Sequence, residues 1–324
     1  VTPELGRLVM PAIRWREDVG FAHEQEAIDR ALDLGAGGFI VFGGSADAVA
    51  ALTAELRAKA GRPLLLAADL ERGAGQQFDG LTQFPPPLAL DRLGDEAIRW
   101  AAETTAREAR SVGINWVFAP VADLDLLPEN PIVQTRAFGA DPSRVAAGVR
   151  AWIQGCEAGG ALACAKHYPG HGRTAADSHI ALPVVDADVA TLVGSDLVPF
   201  RAAAAAGVAA MMTAHVAYPA LDPSGAPATL SAPILAGLRR DGFDGIVVTD
   251  ALIMEGALVG RGEGDAAVEA LGAGADLLLY PSDPSAVLDA VRRALADGRL
   301  TTRRVEEALA RYERALAAAE RVPA

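Results

Sequence analysis

Cysteine is scarce in this chain: two residues in 324, Cys156 and Cys164, which is too few for a disulfide framework and lacks the Cys-x-x-Cys spacing of a metal knuckle. Both read as small buried apolar residues. Cations are also short, with 29 Lys and Arg against 42 Asp and Glu and a formal charge of -13. That balance repels phosphate backbones and anionic lipid, so neither nucleic acid nor a membrane surface is expected as a partner. The most apolar stretch, residues 202–212, is alanine-rich and falls short of the ~20 residues needed to cross a bilayer. No basic segment followed by a long apolar one opens the chain, and a soluble cytoplasmic monomer is the expectation. Solenoid repeats and low-complexity linkers are missing as well.

What is present is a regular alternation. Hydrophobic residues make up 51% of the chain and charged residues 22%, enough apolar material for a sizeable core. Short apolar runs recur at 8–13, 38–42, 64–68, 115–119, 161–165, 209–213, 246–249 and 276–280, each followed by a longer stretch with helical spacing. Eight evenly spread β-α units predict a TIM (β/α)8 barrel occupying residues 1–324 as one domain. Helix punctuation agrees with that frame. Asp141 before Pro142 and Ser231 before Pro233 read as N-caps, the Gly159-Gly160 pair and Gly242 read as stops, and a last helix is predicted from about Thr302.

In such a barrel the loops after the strands gather at one end, so polar residues just past each run converge. Asp69 follows the third run, Lys166-His167 the fifth, His215 the sixth and Asp250 the seventh. Each has a plainer reading: a strand-end aspartate also caps the next helix, and His215 also suits a satisfied core position. The segment 165–183, AKHYPGHGRTAADSHIALP, concentrates three histidines, one lysine and one aspartate after a buried strand. His167, His171, His179 and Asp177 are conceivable metal ligands, but tight ligand spacing is lacking and Lys166 opposes a cation, so no metal is expected. Asp177 and His179 alone would read as a turn and an exposed imidazole.

Several stretches carry a resemblance. FAPVADL with ENPIVQTRAFG (118–139), AKHYPGHG and DSH (165–179), AHVAYPALD (214–222), ATLS (228–231), VVTDALIMEGA (247–257) and QFPPPLAL (83–90) lie along most of the chain. The chain resembles glycoside hydrolase family 3, and within it the single-domain bacterial β-N-acetylglucosaminidases of cell-wall recycling. Position by position, the resemblance implies Asp250 as nucleophile and His179, assisted by Asp177, as acid/base. It implies sugar contacts at Asp69, Arg136, Lys166 and His167, with His215 near the sugar. Larger members of the family carry a glutamate acid/base on a second domain; here a barrel loop is expected to supply the proton donor. One departure is DLERGAGQQF, where similar enzymes read D-Q-E-G-G-R-V: Glu71 is placed alike but the later arginine is missing, which affects the leaving-group side. Ala251 replaces the second acid of T-D-D-L.

These roles are chemically consistent. A carboxylate attacking the anomeric carbon gives a covalent glycosyl-enzyme and net retention. An imidazole, with an intrinsic pKa of about 6.5, gives a proton to the leaving oxygen and later takes one from water. The expectation is exo-acting release of terminal β-linked N-acetylglucosamine from peptidoglycan-derived fragments or related amino sugars, with no cofactor and a small carbohydrate as the sole partner. The alternatives are β-glucosidase or β-xylosidase action, phosphorolysis by the same family, and a sugar-binding barrel without turnover.

Overall fold

The computed structural model describes residues 2–175, 181–258 and 260–321. Among the described residues, nine strands are all parallel to their neighbours: β1 Val9–Met10, β2 Ala12–Arg14, β3 Gly38–Phe42, β4 Leu65–Ala68, β5 Trp116–Val117, β6 Leu162–Tyr168, β7 Ala210–Thr213, β8 Ile246–Val248 and β9 Leu278–Leu279. Strands β2 to β8 form one curled seven-stranded sheet in sequence order, and β1 pairs with β9 in a second, two-stranded sheet. Each of the eight predicted runs contains a strand. The first is split by Pro11, which has no N–H to give to a ladder.

Side chains alternate across the sheet, as a period of two requires. Phe39, Val41, Leu66, Met211 and Val247 pack outward under the helices. Ile40, Leu65, Ala67, Cys164, Met212 and Val248 fill the inner face, where Tyr312 and Ala315 of the last helix, Thr302–Ala319, also pack. The cap residues act as the sequence indicated. Asp141 accepts from the Arg144 N–H, and Ser231 from the Ile234 N–H. A buried carboxylate fixes the last helix to the sheet: Asp276 accepts from Arg239 (2.6 Å), Arg304, Arg311 (3.2 Å) and the Val247 N–H (2.9 Å). No helix among the described residues is long and apolar enough to cross a membrane.

One strand is longer than its apolar run. The fifth run stops at Ala165, yet β6 continues to Tyr168, because Lys166 bridges Val121 and Tyr168 pairs with Thr213 after a register shift. Lys166 and His167 are therefore strand residues rather than loop residues, and Lys166 continues the inner-facing series begun by Cys164.

Candidate active site

At the carboxyl ends of the strands lies a cavity of about 250 Å3. Its polar walls include Arg14, Asp69, Arg136, Lys166, His167, His171, Asp250 and Tyr280, so five of the sequence-derived site residues share one space. His215 is brought close but does not line it. Asp177 and His179 lie outside the described residues.

Two networks fix these walls. The first joins β4 to β6. Lys166 Nζ donates to Asp69 Oδ1 (2.6 Å) and makes an ion pair with Glu71 Oε1 (2.8 Å). Arg136 grips the same glutamate from the other side, through Nε to Oε2 (2.8 Å) and Nη2 to Oε1 (2.6 Å). Glu71 is 3% exposed and Lys166 1%. Burial alone would raise the Glu71 pKa, but Lys166 and Arg136 more than offset this and hold the carboxyl well below its usual range. Burial likewise works against the Lys166 cation, and Asp69 and Glu71 reverse it, leaving the ammonium more firmly protonated than in water.

The second network centres on Asp123, which is fully buried in the loop after β5. Its carboxylate accepts from His167 Nδ1 (2.7 Å) and from the His171 N–H (2.7 Å), and lies 3.2 Å from the His167 N–H. Burial pushes its pKa up and the two histidines pull it further down, so Asp123 stays ionised. His167 Nδ1 consequently carries a proton, and the ring lines the cavity. His171 sits beside it, with ring centroids 6.0 Å apart, and its Nδ1 meets Thr174 Oγ1 at 2.7 Å. Burial lowers the His171 pKa. Among the described residues no cluster of His, Cys, Asp and Glu could hold a metal ion.

Asp250 is half-buried, two residues beyond β8. Its Oδ1 accepts from its neighbour's N–H, Ala251 N, at 2.7 Å. Burial raises the pKa of this carboxyl, while His167, His215, the Ala251 N–H and Lys166 together lower it below the ordinary aspartate value. An ionised carboxylate facing a small cavity is chemically able to act as a nucleophile. His215, 0% exposed, lies behind it: Nε2 meets Ala251 O at 3.0 Å and Nδ1 meets Thr229 Oγ1 at 2.8 Å. Burial lowers its pKa. His215 thus stands behind the cavity wall, with both ring nitrogens within hydrogen-bond distance of protein groups.

Sequence reasoning passed over Asp123, the rim pair Arg14 and Tyr280, and Thr229. Asp123 carries the same signal as Asp69 and Asp250, an aspartate soon after an apolar run, inside the FAPVADL stretch. Arg14 stacks its guanidinium 4.3 Å over Phe42 and donates Nε to Tyr280 Oη at 2.7 Å, a contact 266 residues apart in sequence and invisible there.

Comparison with known proteins follows this geometry. A β-hexosaminidase from Chromobacterium violaceum is 42% identical over 257 residues, covering 76% of this chain and 71% of its own. A protein named β-N-acetylglucosaminidase/β-glucosidase from Cellulomonas fimi is 37% identical over 279 residues, covering 82% of this chain, which spans about half (49%) of that relative's length. The solved structure of a glycoside hydrolase family 3 β-N-acetylglucosaminidase from Paenibacillus sp. superposes with a TM-score of 0.88 at 33% identity, over 100% of this chain and 64% of that one. The model of the glycosyl hydrolase family 3 N-terminal domain matches residues 3–315, from before β1 into the last helix. A match of that extent takes in every strand and every wall of the cavity, and the chain therefore belongs to glycosyl hydrolase family 3.

Proposed function

We propose that this chain carries the catalytic barrel of a retaining, exo-acting β-N-acetylglucosaminidase, with Asp250 as nucleophile. The observation that carries the reading is an ionised, half-buried Asp250 facing a cavity of about 250 Å3 whose other walls include Lys166, Asp69, Arg136 and His167. That volume lies below the roughly 300–1,000 Å3 of pockets for drug-sized ligands, which suits one terminal sugar and disfavours a threaded chain. The names of the Chromobacterium, Cellulomonas and Paenibacillus proteins supply the sugar.

In this reading an Asp250 oxygen attacks the anomeric carbon as the glycosidic C–O bond breaks, and the departing oxygen takes a proton from His179, oriented by Asp177. Water then attacks the same carbon, gives its proton back to His179, and releases Asp250 with retained configuration. Lys166 and Asp69 supply a fixed donor and acceptor for sugar hydroxyls, and Arg136 and His167 flank them. The same reading closes the strands into one eight-unit barrel within residues 1–324. It is supported by the register of Val9 with Leu278 and by the bridge between Val248 and Leu277.

The test is turnover of nitrophenyl β-N-acetylglucosaminide beside the β-glucoside and β-xyloside, together with trapping by a slow 2-deoxy-2-fluoro or 5-fluoro glycoside. Preferred release from the acetamido sugar and a label on Asp250 are expected. A label on another side chain would remove the nucleophile assignment, and a β-glucoside preference would move the sugar.

A further inference from the structure

Behind Asp250 runs a line of buried polar groups that the proposed chemistry does not use. Thr213, His215 and Thr229 are each 0% exposed. Thr213 Oγ1 and Thr229 Oγ1 are 2.8 Å apart, Thr229 Oγ1 is 2.8 Å from His215 Nδ1, and His215 Nε2 is 3.0 Å from the Ala251 carbonyl. The turn that bears Asp250 is pinned on its other side by β9: Thr249 N donates to Leu277 O (3.0 Å), and Leu252 N donates to Leu279 O (2.9 Å). Asp250 and Ala251 thus lie between these two ties, and Ala251 O, which also accepts the Met254 N–H at 3.1 Å, takes the His215 contact.

Proton bookkeeping gives the line a direction. A carbonyl oxygen only accepts, so the proton on His215 must sit on Nε2. If the ring is neutral, Nδ1 is bare and needs a donor, which only the Thr229 hydroxyl supplies. Thr229 in turn accepts from Thr213. The remaining acceptor, Ala214 O, is met by the Thr229 backbone N–H at 3.3 Å, so every group is satisfied. The opposite arrangement, with Thr229 Oγ1 donating to Ala214 O at 3.1 Å, would either leave Nδ1 of a neutral buried ring without a donor or require a second proton and a positive charge on a ring with no exposure to water. Burial opposes that charge, and Asp250 on one side and His167 on the other contribute opposing effects of smaller weight.

We propose that Thr229, relayed through a neutral His215, is a positioning residue that fixes the Asp250–Ala251 turn and with it the attack geometry of the Asp250 carboxylate. The inference rests on the reading of Asp250 as nucleophile. Its signature is distinct from that of a sugar contact: losing the relay misaims the attacking group, so it lowers kcat while leaving ground-state binding in place.

Thr229→Val keeps the shape and removes the donor; Thr229→Ser keeps the donor. In Thr229→Val, kcat on nitrophenyl β-N-acetylglucosaminide should fall by about tenfold to a hundredfold, the scale set by one unsatisfied buried acceptor, with KM changed by less than about twofold. Thr229→Ser should return kcat to within about threefold of the starting enzyme. Histidine 15N spectra of the unmodified protein should show His215 with a bare Nδ1 and a protonated Nε2, and Thr229→Val should disturb that pattern. A His215 protonated at Nδ1 in the unmodified protein, or a folded Thr229→Val with unaltered kcat, would overturn the relay. A fluorinated-sugar label away from Asp250 would instead overturn the nucleophile reading, and the 15N tautomer would still be measured independently of it.

Discussion

The charge network between β4 and β6 invites a direct perturbation, Glu71→Gln. Glu71 Oε1 receives both Lys166 Nζ and Arg136 Nη2, and Oε2 receives Arg136 Nε. Gln keeps the volume, removes the charge, and turns one of the two acceptor atoms into a donor facing N–H groups. Lys166 retains Asp69, but Arg136 loses its only carboxylate partner among the described residues. Removing one partner of a buried ion pair costs about 3–5 kcal/mol. For a chain of this size, that is a fall in Tm of about 4–7 °C. The sign of the pH dependence also follows. A carboxyl whose folded pKa is depressed contributes its full stabilisation above the unfolded value of about 4.3 and loses it as pH falls through the folded value. The Tm gap between the two proteins should therefore be full at neutral pH and narrow below about pH 4. Circular dichroism melts from pH 3 to 8 would measure it, with nitrophenyl glycoside kinetics alongside to detect a raised KM as Lys166 and Arg136 loosen. A Glu71→Gln protein melting within about 2 °C of the parent at pH 7, with unchanged KM, would refute the account of Glu71 as the anchor of both cations.

Other perturbations separate the remaining parts of the site. Asp123→Asn should keep the fold yet lower kcat by about 100-fold or more, because His167 Nδ1 would lose the anion that fixes its tautomer; steady-state kinetics and histidine NMR would check it. His179→Ala should cost far more on alkyl glycosides than on nitrophenyl glycosides, since only poor leaving groups need a proton, and equal losses on both would exclude His179 as the acid. Asp276→Asn, far from the cavity, should destabilise by about 3–5 kcal/mol through three arginines left facing a neutral group, with KM unchanged in the protein that remains folded.

Most of the fold was legible because the apolar runs and helix punctuation are local. Every predicted run contains a strand, and Asp141 and Ser231 cap helices as their following prolines suggest. The end of β6 was misjudged for a physical reason: Lys166 and His167 look like loop residues by polarity, and only long-range pairing with Val121 and Thr213 keeps them in the ladder. At the site, strand-end aspartates were visible as a class, but their partners were not. Asp123 and His167 are 44 residues apart, and Glu71 and Arg136 are 65 apart. For His215, the sequence shows where the ring emerges from a strand, not which protein atoms lie within hydrogen-bond distance of its two nitrogens.

The pairing pattern also bears on how the half-buried Asp250, as the proposed nucleophile, would stay both ionised and available. A contact ion pair would hold Asp250 as an anion but would occupy the lone pairs that must reach the anomeric carbon. Among the described residues no basic nitrogen lies within ion-pair distance of Asp250; its charge is sustained at longer range by His167 and Lys166 and by the Ala251 N–H. Lys166 is able to act at that range because Asp69 and Glu71 hold its ammonium in place, and Arg136 is held by Glu71 in the same way. Without those two carboxylates, the cations nearest the cavity would gain most by closing onto Asp250 itself. In the proposed reaction Asp69 and Glu71, which follow β4, would thus have a second part beside any sugar contact: by satisfying the cations, they leave one face of Asp250 unpaired toward the cavity.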